Sequence, residues 1–239
     1  MIDAHLHMGS IPSNRKNWGN FKEYKKIARR TGIKKYCVVP IGLPENFKDK
    51  STPDNNSVLK EAEKDKSIIP IYWFNVFDLP EKIDSRYKAI KLHSDIGKPK
   101  EMVDIDDKRV VNFVNKINLP VFIHTNESKE YSNLGKVSGL AKKVQVPVIA
   151  VHSGSVTSTF FKLDNYEFPD NVYFETSGIQ YAVILKKIYS MVGAKRIIFG
   201  SDYPFGDPRV SLAMIDSLEC SKKDYKLITK DNISKILKL

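Results

Sequence analysis

The stretch Ile2-Asp3-Ala4-His5-Leu6-His7 carries two histidines separated by one residue within a short β-type run. Because side chains alternate across a strand, His5 and His7 are predicted to point to the same side, a few ångströms apart. Two imidazoles held in this way at a strand end make half of a metal site. Alone, the pair is a weak signal, since such spacing also arises by chance on solvated faces.

The remaining histidines also follow apolar, strand-like runs. The chain has five histidines, and the other three are His93, His124 and His152, which end the runs 89–93, 120–124 and 147–152. A further apolar run, 196–202, ends in Asp202. If these runs are strands, their ends converge and carry ligands to one centre.

Length and composition describe an ordinary globular protein. The chain has 239 residues, of which 41% are hydrophobic, enough for a sizeable core. No apolar run approaches the length that spans a bilayer, and the His-x-His motif lies too near the first Met to leave room for a removable leader. Cys37 and Cys220 are too few and too far apart for a disulfide framework. We therefore expect a cytoplasmic protein with free thiols and no membrane partner.

The formal net charge of +11 has two interpretations. It could draw in an anionic substrate or a nucleic acid, or it could reflect a lysine-coated surface. The lysines are scattered along the chain and not gathered in one block. We favour the surface interpretation, keep a small anionic substrate as an option, and do not expect nucleic acid as a partner.

Strand-length apolar runs alternate with stretches of helical periodicity, which is typical of βαβ units and a parallel sheet. The predicted strands are 2–7, 35–41, 68–76, 87–93, 120–125, 147–152, 172–176 and 195–201. The predicted helices are 21–30, 57–66, 106–118, 128–144, 179–191, 208–218 and 222–239, and 155–166 is ambiguous. Closing eight parallel strands removes the sheet edges, so we predict an α/β fold, a compact (β/α)8 TIM barrel that forms one domain over 1–239.

The five histidines and Asp202 all fall at the carboxyl ends of the predicted strands, where TIM barrels build their active sites. The sequence resembles the amidohydrolase superfamily, in particular its amidohydrolase-related branch of compact metal-dependent TIM-barrel hydrolases and decarboxylases. The resemblance runs nearly end to end, and its most telling part after His-x-His is Gly-Ser-Asp-Tyr-Pro at 200–204. The matching motifs are 5–7, 123–124, 151–154, 174–178 and 199–204.

The resemblance implies a role for each matching side chain. His5 and His7 would bind the metal from strand one, and His124 would be the third protein nitrogen. Asp202 would approach from the opposite side as ligand and as proton acceptor. His152 would stand near the metal and orient water or substrate. One divalent ion is implied, and Zn²⁺ suits three histidines, one aspartate and an open position, although Mn²⁺ or Fe²⁺ would tolerate the same ligands.

Strand four leaves two interpretations open. Lys91 and His93 face the same side by strand alternation. In two-metal relatives a strand-four lysine is carboxylated and bridges the ions, and Lys91 aligns with that position. We favour the alternative, an inward lysine paired with a carboxylate such as Glu175. His93 is expected either to contact the substrate or to support a ligand by a hydrogen bond, and with His152 it is a candidate for a second ion.

The remaining candidates are weaker. Arg15 and Arg209 follow the first and last strands and could grip a substrate carboxylate, although a solvated surface role is the simpler interpretation for both. Trp73 and Phe205 could wall a pocket.

The expected function is hydrolysis of a small, anionic or neutral amide, ester, lactone or ring by a metal-activated water. The alternative is a metal-dependent decarboxylase, a lyase, of an unsaturated or aromatic acid, because the ligand set does not separate the two reactions. A barrel that only binds metal is disfavoured, since the whole ligand set is intact. The expected partner is a small-molecule substrate, and a homodimer is compatible with the sequence.

Overall fold

Eight parallel strands lie side by side in the order of the sequence. In this computed structural model, the described residues are 1–9, 21–41, 53–94, 103–155 and 159–239. The predicted (β/α)8 barrel is confirmed. Its strands are β1 (Ile2–Met8), β2 (Lys35–Pro40), β3 (Ile68–Trp73), β4 (Ala89–Leu92), β5 (Val121–His124), β6 (Val148–Val151), β7 (Val172–Glu175) and β8 (Ile197–Ile198).

The barrel closes where the segment after β8 runs beside β1. Leu6 and Tyr203 form a parallel bridge. The N–H of His7 donates to the Tyr203 carbonyl over 2.7 Å, and the N–H of Asp202 donates to the His5 carbonyl over 2.7 Å. Closure therefore places Asp202 directly beside the two strand-one histidines.

Helices follow all the strands except β3, and several begin at a side chain that caps the first turn. The carboxylates of Asp54, Asp107 and Asp207 accept hydrogen bonds from backbone N–H groups at three helix starts, which satisfies donors that a helix start leaves free. The helices are α1 (Phe21–Thr31), α2 (Asn55–Lys64), α3 (Lys108–Ile117), α4 (Leu134–Ala141), α5 (Thr159–Lys162), α6 (Ala182–Val192), α7 (Pro208–Asp216), α8 (Lys222–Lys226) and α9 (Asn232–Leu237).

The helix predicted over 128–144 is shorter in the structure. It begins as a 3₁₀ turn at Glu130–Ser132 and continues as α4. Asn133 separates the two because its backbone is extended (φ −73°, ψ 168°) and its side chain accepts a hydrogen bond from the N–H of Lys136. A capping residue inside the predicted helix therefore sets its true start.

The end of the chain also departs from the prediction. The helix predicted over 222–239 is α8 and α9 joined by a π-helical turn at Leu227–Asp231. β8 is shorter than predicted: a 3₁₀ turn at Ala194–Arg196 precedes it, and it ends at Ile198.

β1 contains an irregularity that orients the two histidines. Its register against β2 shifts between Asp3 and Leu6. Ala4, within the shift, packs in the cluster that fills the barrel interior, whereas Leu6, where the register resumes, packs in the outer cluster beneath the helices. A bulge changes which face successive side chains occupy, so His5 and His7 point inward as well.

The lower part of the barrel interior is filled. Side chains such as Ile71, Phe122 and Ile149 are buried there. Ile233 and Ile236 of α9 belong to the same cluster. Because this end is packed with apolar side chains, the polar groups of the barrel gather at the carboxyl ends of the strands.

Candidate active site

A cavity of about 200 Å³ opens at the carboxyl ends of the strands. Its wall combines imidazole and aromatic rings with one ammonium and one carboxylate. Larger grooves on the described surface contain no histidine, so side-chain chemistry, and not volume, marks this cavity as the site. The lining residues are His7, Trp73, Lys91, His93, His124, His152, Asp202 and Phe205.

The imidazoles of His5 and His7 lie side by side, as their spacing predicts, with ring centroids 5.1 Å apart. The Nδ1–H of His7 donates to the Pro40 carbonyl over 3.1 Å, so Nε2 carries the free lone pair. Nε2 of His7 and Nε2 of His5 lie 3.2 and 3.6 Å from Oδ1 of Asp202. Burial lowers the pKa of both imidazoles, and neutral imidazole is the form that binds a metal.

His152 is held by hydrogen bonds that lead to Glu175. The Ser177 hydroxyl donates to Oε2 of Glu175 over 2.6 Å, and it therefore accepts from Nδ1–H of His152 over 2.8 Å. The backbone N–H of His152 donates to the same Glu175 oxygen over 3.0 Å. This network leaves the free lone pair of His152 on Nε2. Burial lowers the pKa of His152 to about 4, so the imidazole is neutral at pH 7.

Three donor groups lie close enough to share one ion. Among the described residues, one donor atom each from His5, His152 and Asp202 lie within 4.8 Å of one another. Imidazole nitrogen and carboxylate oxygen bind Zn²⁺ and other divalent metals, so this group fits a divalent ion. The ligand set predicted from the sequence shares His5 and Asp202 with this group. It contains His7 and His124 in place of His152. The ring of His124 lies 4.8 Å from that of His152, and the individual ligand roles stay predictions.

The carboxylate of Asp202 is held in its ionised form. Its backbone and that of His152 are in the left-handed region, at φ 55° and 67°, and such strain is concentrated at functional sites. Burial raises the pKa of Asp202, but interaction with the imidazoles of His152 and His5 outweighs burial, and the pKa lies well below its ordinary value. Asp202 is therefore ionised at neutral pH.

Lys91 is fully buried, and its ammonium faces the two strand-one imidazoles. Nζ lies 2.5 Å from Nε2 of His5, 3.4 Å from Nε2 of His7, and 5.2 Å from the centre of the Trp73 ring. Burial lowers the pKa of Lys91 to about 8. Within the described residues, the hydrogen bonds of Lys91 go to imidazoles. The sequence favoured the carboxylate of Glu175 as its partner. That carboxylate instead accepts hydrogen bonds from the N–H of His152 and the hydroxyl of Ser177.

His93 lies in a stack of rings along one wall of the cavity. Its ring is 5.8 Å from that of Trp73 at 6°, and 3.6 Å from that of His124 at 12°. Nδ1 of His93 is buried and makes no hydrogen bond to the described residues. Lys91 and His93 both line the cavity, which confirms the predicted alternation along β4.

Asp3 joins the two strands that hold the predicted ligands, and sequence reasoning missed it. Its carboxylate accepts from the N–H of Ser201 over 3.0 Å, from the N–H of His5 over 3.2 Å, and from the Tyr24 hydroxyl over 2.7 Å. Burial raises the pKa of Asp3 to about 7. The available signal was an acidic residue inside an otherwise apolar strand, since such a residue is seldom fully buried without partners.

Gly200 makes room for the buried Glu175. A Cβ atom at Gly200 would clash with Oε1 of Glu175 and lie 3.1 Å from Cβ of His5. Glu175 and Ser177 fall in the motif 174–178, but the sequence alone gave them no role in holding His152. Their function becomes clear only from the hydrogen bonds between strands.

The weaker site predictions have mixed outcomes. Trp73 and Phe205 line the cavity. Arg209 lies in the first turn of α7, where its exposed guanidinium pairs with Asp207 over 2.5 Å, and it is not among the lining residues. Arg15 lies outside the described residues. Substrate binding by either arginine therefore stays a prediction.

A TIM barrel whose cavity gathers neutral imidazoles and an ionised carboxylate belongs to the class of barrels built for a divalent metal. The chain belongs to the amidohydrolase family, whose family model, described as Amidohydrolase, matches residues 80–239, more than half of the chain. The resemblance inferred from the sequence is thereby confirmed, and the protein is an enzyme of this superfamily. The match begins after β3, so the His-x-His motif contributes nothing to it.

Similar solved structures include enzymes of two reaction types. A protein assigned provisionally as a 2-pyrone-4,6-dicarboxylic acid hydrolase, from Pseudomonas putida, has a TM-score of 0.72 at 15% identity over 99% of this chain and 97% of its own. 2,6-Dihydroxybenzoate decarboxylase from Rhizobium has a TM-score of 0.69 at 14% identity over 99% and 97%. At these identities the likeness shows the fold.

A third similar structure was determined with manganese bound. It is 5-carboxyvanillate decarboxylase from Novosphingobium aromaticivorans, with a TM-score of 0.68 at 14% identity over 91% of this chain and 80% of its own. A comparison with curated proteins gave no match. In the described part of the chain, every helix is too short or too polar to cross a membrane.

Proposed function

We propose that the protein is a metal-dependent hydrolase of a small substrate with an amide, ester, lactone or ring C–N or C–O bond. The observation that carries this proposal is the position of the Asp202 carboxylate, 3.2 and 3.6 Å from Nε2 of His7 and His5. A carboxylate kept ionised beside metal-binding imidazoles can take a proton from an attacking water.

The residues of the cavity have different proposed roles in the reaction. His5, His7, His124 and Asp202 would hold the ion, which when bound lowers the pKa of a water and polarises a carbonyl. Asp202 accepts a proton from the attacking water. Asp202 then returns that proton to the leaving group. His152 presents Nε2 to the cavity, because Ser177 fixes its other nitrogen, and it would orient water or substrate.

We propose Zn²⁺ as the ion, because imidazole nitrogens with one carboxylate oxygen and an open position suit catalytic zinc. Mn²⁺ and Fe²⁺ remain alternatives, since affinity order does not decide which metal a cell loads. The manganese of the 5-carboxyvanillate decarboxylase supports keeping Mn²⁺ as the first alternative.

Decarboxylation of an aromatic or unsaturated acid is the second candidate. It is supported by Trp73 and Phe205, whose rings face the cavity within 5.7 and 5.4 Å of the His7 ring and could hold a planar substrate. Two decarboxylases share the fold. In that reaction an acid, Asp202 or His152 in its protonated form, would supply the proton to the carbon that loses CO₂.

The proposal is tested by metal content and by product analysis. We expect elemental analysis of protein purified without added metal to find about one divalent ion per chain. The ion should be lost in His5→Ala and Asp202→Asn and kept in Asp164→Asn, a control at an exposed aspartate paired with Lys187. His152→Asn should keep the ion and lose most turnover. Folded wild-type protein that turns over substrate without any ion would refute the proposal.

Assays of lactones, amides and aromatic acids would separate the two reactions. CO₂ release should be measured directly on each compound. Hydrolysis without CO₂ supports the first candidate, and CO₂ release supports the second.

A further inference from the structure

Glu127 is a buried acidic residue outside the cavity, shortly after His124, the last residue of β5. It is not among the residues that line the cavity, so any effect of Glu127 on the reaction must pass through other residues. A glutamate is seldom fully buried unless it is paired. Its partners therefore indicate its role.

The carboxylate of Glu127 joins the start of α4 to the chain that follows β6. Oε2 accepts a hydrogen bond from the N–H of Leu134, the first residue of α4, over 3.0 Å. Oε1 accepts from the Tyr166 hydroxyl over 2.6 Å and lies 3.7 Å from Nζ of Lys162. The same Nζ donates to the Glu127 carbonyl over 3.1 Å. Burial, together with Glu127, raises the pKa of Tyr166 to about 13, so the hydroxyl keeps the proton that it donates.

The chain after β6 begins with a left-handed turn that contains His152. The backbone φ is positive at each residue of this turn, namely His152 (67°), Ser153 (48°), Gly154 (86°) and Ser155 (48°). Strained backbone of this kind persists only where the surrounding structure fixes it. The loop after β5 supplies two such hydrogen bonds: the N–H of Glu127 donates to the Gly154 carbonyl over 3.0 Å, and the N–H of Gly154 donates to the Thr125 hydroxyl over 2.7 Å.

We propose that Glu127 is a positioning residue that fixes the place of His152 in the site, because it binds the chain after β6 at Gly154 and again at Tyr166. This inference rests on the proposed function, which takes His152 as the residue that orients water or substrate. Ser177 sets the tautomer of His152, whereas Glu127 sets the backbone from which the imidazole projects. A displacement of about 1 Å at a reacting group can cost on the order of 100-fold in rate.

The test is Tyr166→Phe, which removes the hydroxyl that Glu127 binds and keeps the aromatic ring. Tyr189→Phe is the matched control, because the Tyr189 hydroxyl also donates to a carboxylate, that of Asp224, over 2.9 Å. Both tyrosines are half-buried, and neither lines the cavity. Urea denaturation should show a similar loss of stability in the two variants, since each loses one hydrogen bond of the same kind.

The measurement that separates positioning from stability is the ¹H–¹⁵N spectrum of the histidine-labelled chain as purified, with the His152 signals assigned from His152→Asn. We expect these signals to shift in Tyr166→Phe and to stay unchanged in Tyr189→Phe. Turnover should fall about 10–100-fold in Tyr166→Phe alone. Glu127→Gln, which keeps the shape of the side chain, is the second variant and should shift the same signals.

Unchanged His152 signals in both Tyr166→Phe and Glu127→Gln, or an equal shift in Tyr189→Phe, would overturn the inference and leave the proposed function standing. Shifted signals with wild-type turnover would overturn it as well, because the place of His152 would then not matter to the reaction. If the wild-type protein binds no divalent ion, the proposed function fails and the inference fails with it.

Discussion

At the scale of single residues, the hydroxyl of Ser177 decides which nitrogen of His152 carries a proton. It gives its own proton to Glu175 and can only accept from Nδ1 of His152. A histidine held in one tautomer presents Nε2 with a free lone pair to the cavity. The side chain of Ser177 therefore determines the tautomer of His152.

Ser177→Ala is expected to release that tautomer. Nδ1 of His152 loses its acceptor, so both tautomers become populated, and activity or metal affinity should fall about 10–100-fold. Two-bond ¹H–¹⁵N spectra of histidine-labelled protein would report the tautomer directly. Ser190→Ala removes an exposed hydroxyl on α6 and should leave the spectrum unchanged. A single unchanged His152 tautomer in Ser177→Ala would contradict the assignment.

Residue spacing predicted part of this site and could not predict the rest. The pairing of His5 with His7 followed from strand alternation, and their ring contact confirms it. Ser177 carried no comparable signal, because a serine after a strand is common. Its role depends on a hydrogen bond between groups 25 residues apart, which no local pattern encodes.

At the scale of elements, Asp3 ties β1 to the segment after β8 and to α1. Its carboxylate accepts from Ser201 on one side and from Tyr24 on the other. A buried carboxylate with several donors is stable only while the donors remain. This contact helps to hold His5 and Asp202 on adjacent segments.

Tyr24→Phe should therefore destabilise the fold. Removing the Tyr24 hydroxyl takes one donor from the buried Asp3 carboxylate, and the free energy of unfolding should fall by about 1–3 kcal/mol. Urea denaturation measures the change. Tyr36→Phe is the control, since Tyr36 packs edge-on against Tyr24 at 5.2 Å. Equal effects of the two variants would argue against a special role for the Tyr24–Asp3 bond.

Element types were predictable, and some boundaries were not. Apolar runs identified all eight strands, because each is buried on both faces. The start of α4 was missed because Asn133 stops one turn and caps the next. From the sequence alone, a capping side chain inside a helical pattern cannot be distinguished from a polar residue on the exposed face of the helix.

At the scale of the whole molecule, eight strands bring residues from distant parts of the chain to one cavity. Asp202 meets His5 across nearly the full length of the sequence. The topology was predictable from the alternation of elements, and it carried the prediction of a shared site. The ring stack around His93 and the position of the Lys91 ammonium depend on side-chain packing, so the sequence left them open.

Metal removal should lower the stability of the folded chain. An ion that binds only the folded state stabilises it by about 2.7 kcal/mol at a free concentration one hundred times Kd. Treatment with a chelator should therefore lower Tm, and adding back Zn²⁺ should restore it, as measured by calorimetry. Asp202→Asn, which lacks a proposed ligand, should show a Tm that does not respond to Zn²⁺. A wild-type Tm that changes neither with the chelator nor with added Zn²⁺ would contradict the binding of an ion.

The register shift in β1 is what turns both of its histidines to the reaction chamber. Ile2 and Ala4 pack in the barrel interior, and Leu6, where the regular register resumes, packs outside it. A regular pleat continued from Ala4 would turn Leu6 inward in place of the imidazoles. A graft of this enzyme's chemistry onto another eight-stranded scaffold would therefore have to transfer the backbone irregularity together with the histidines.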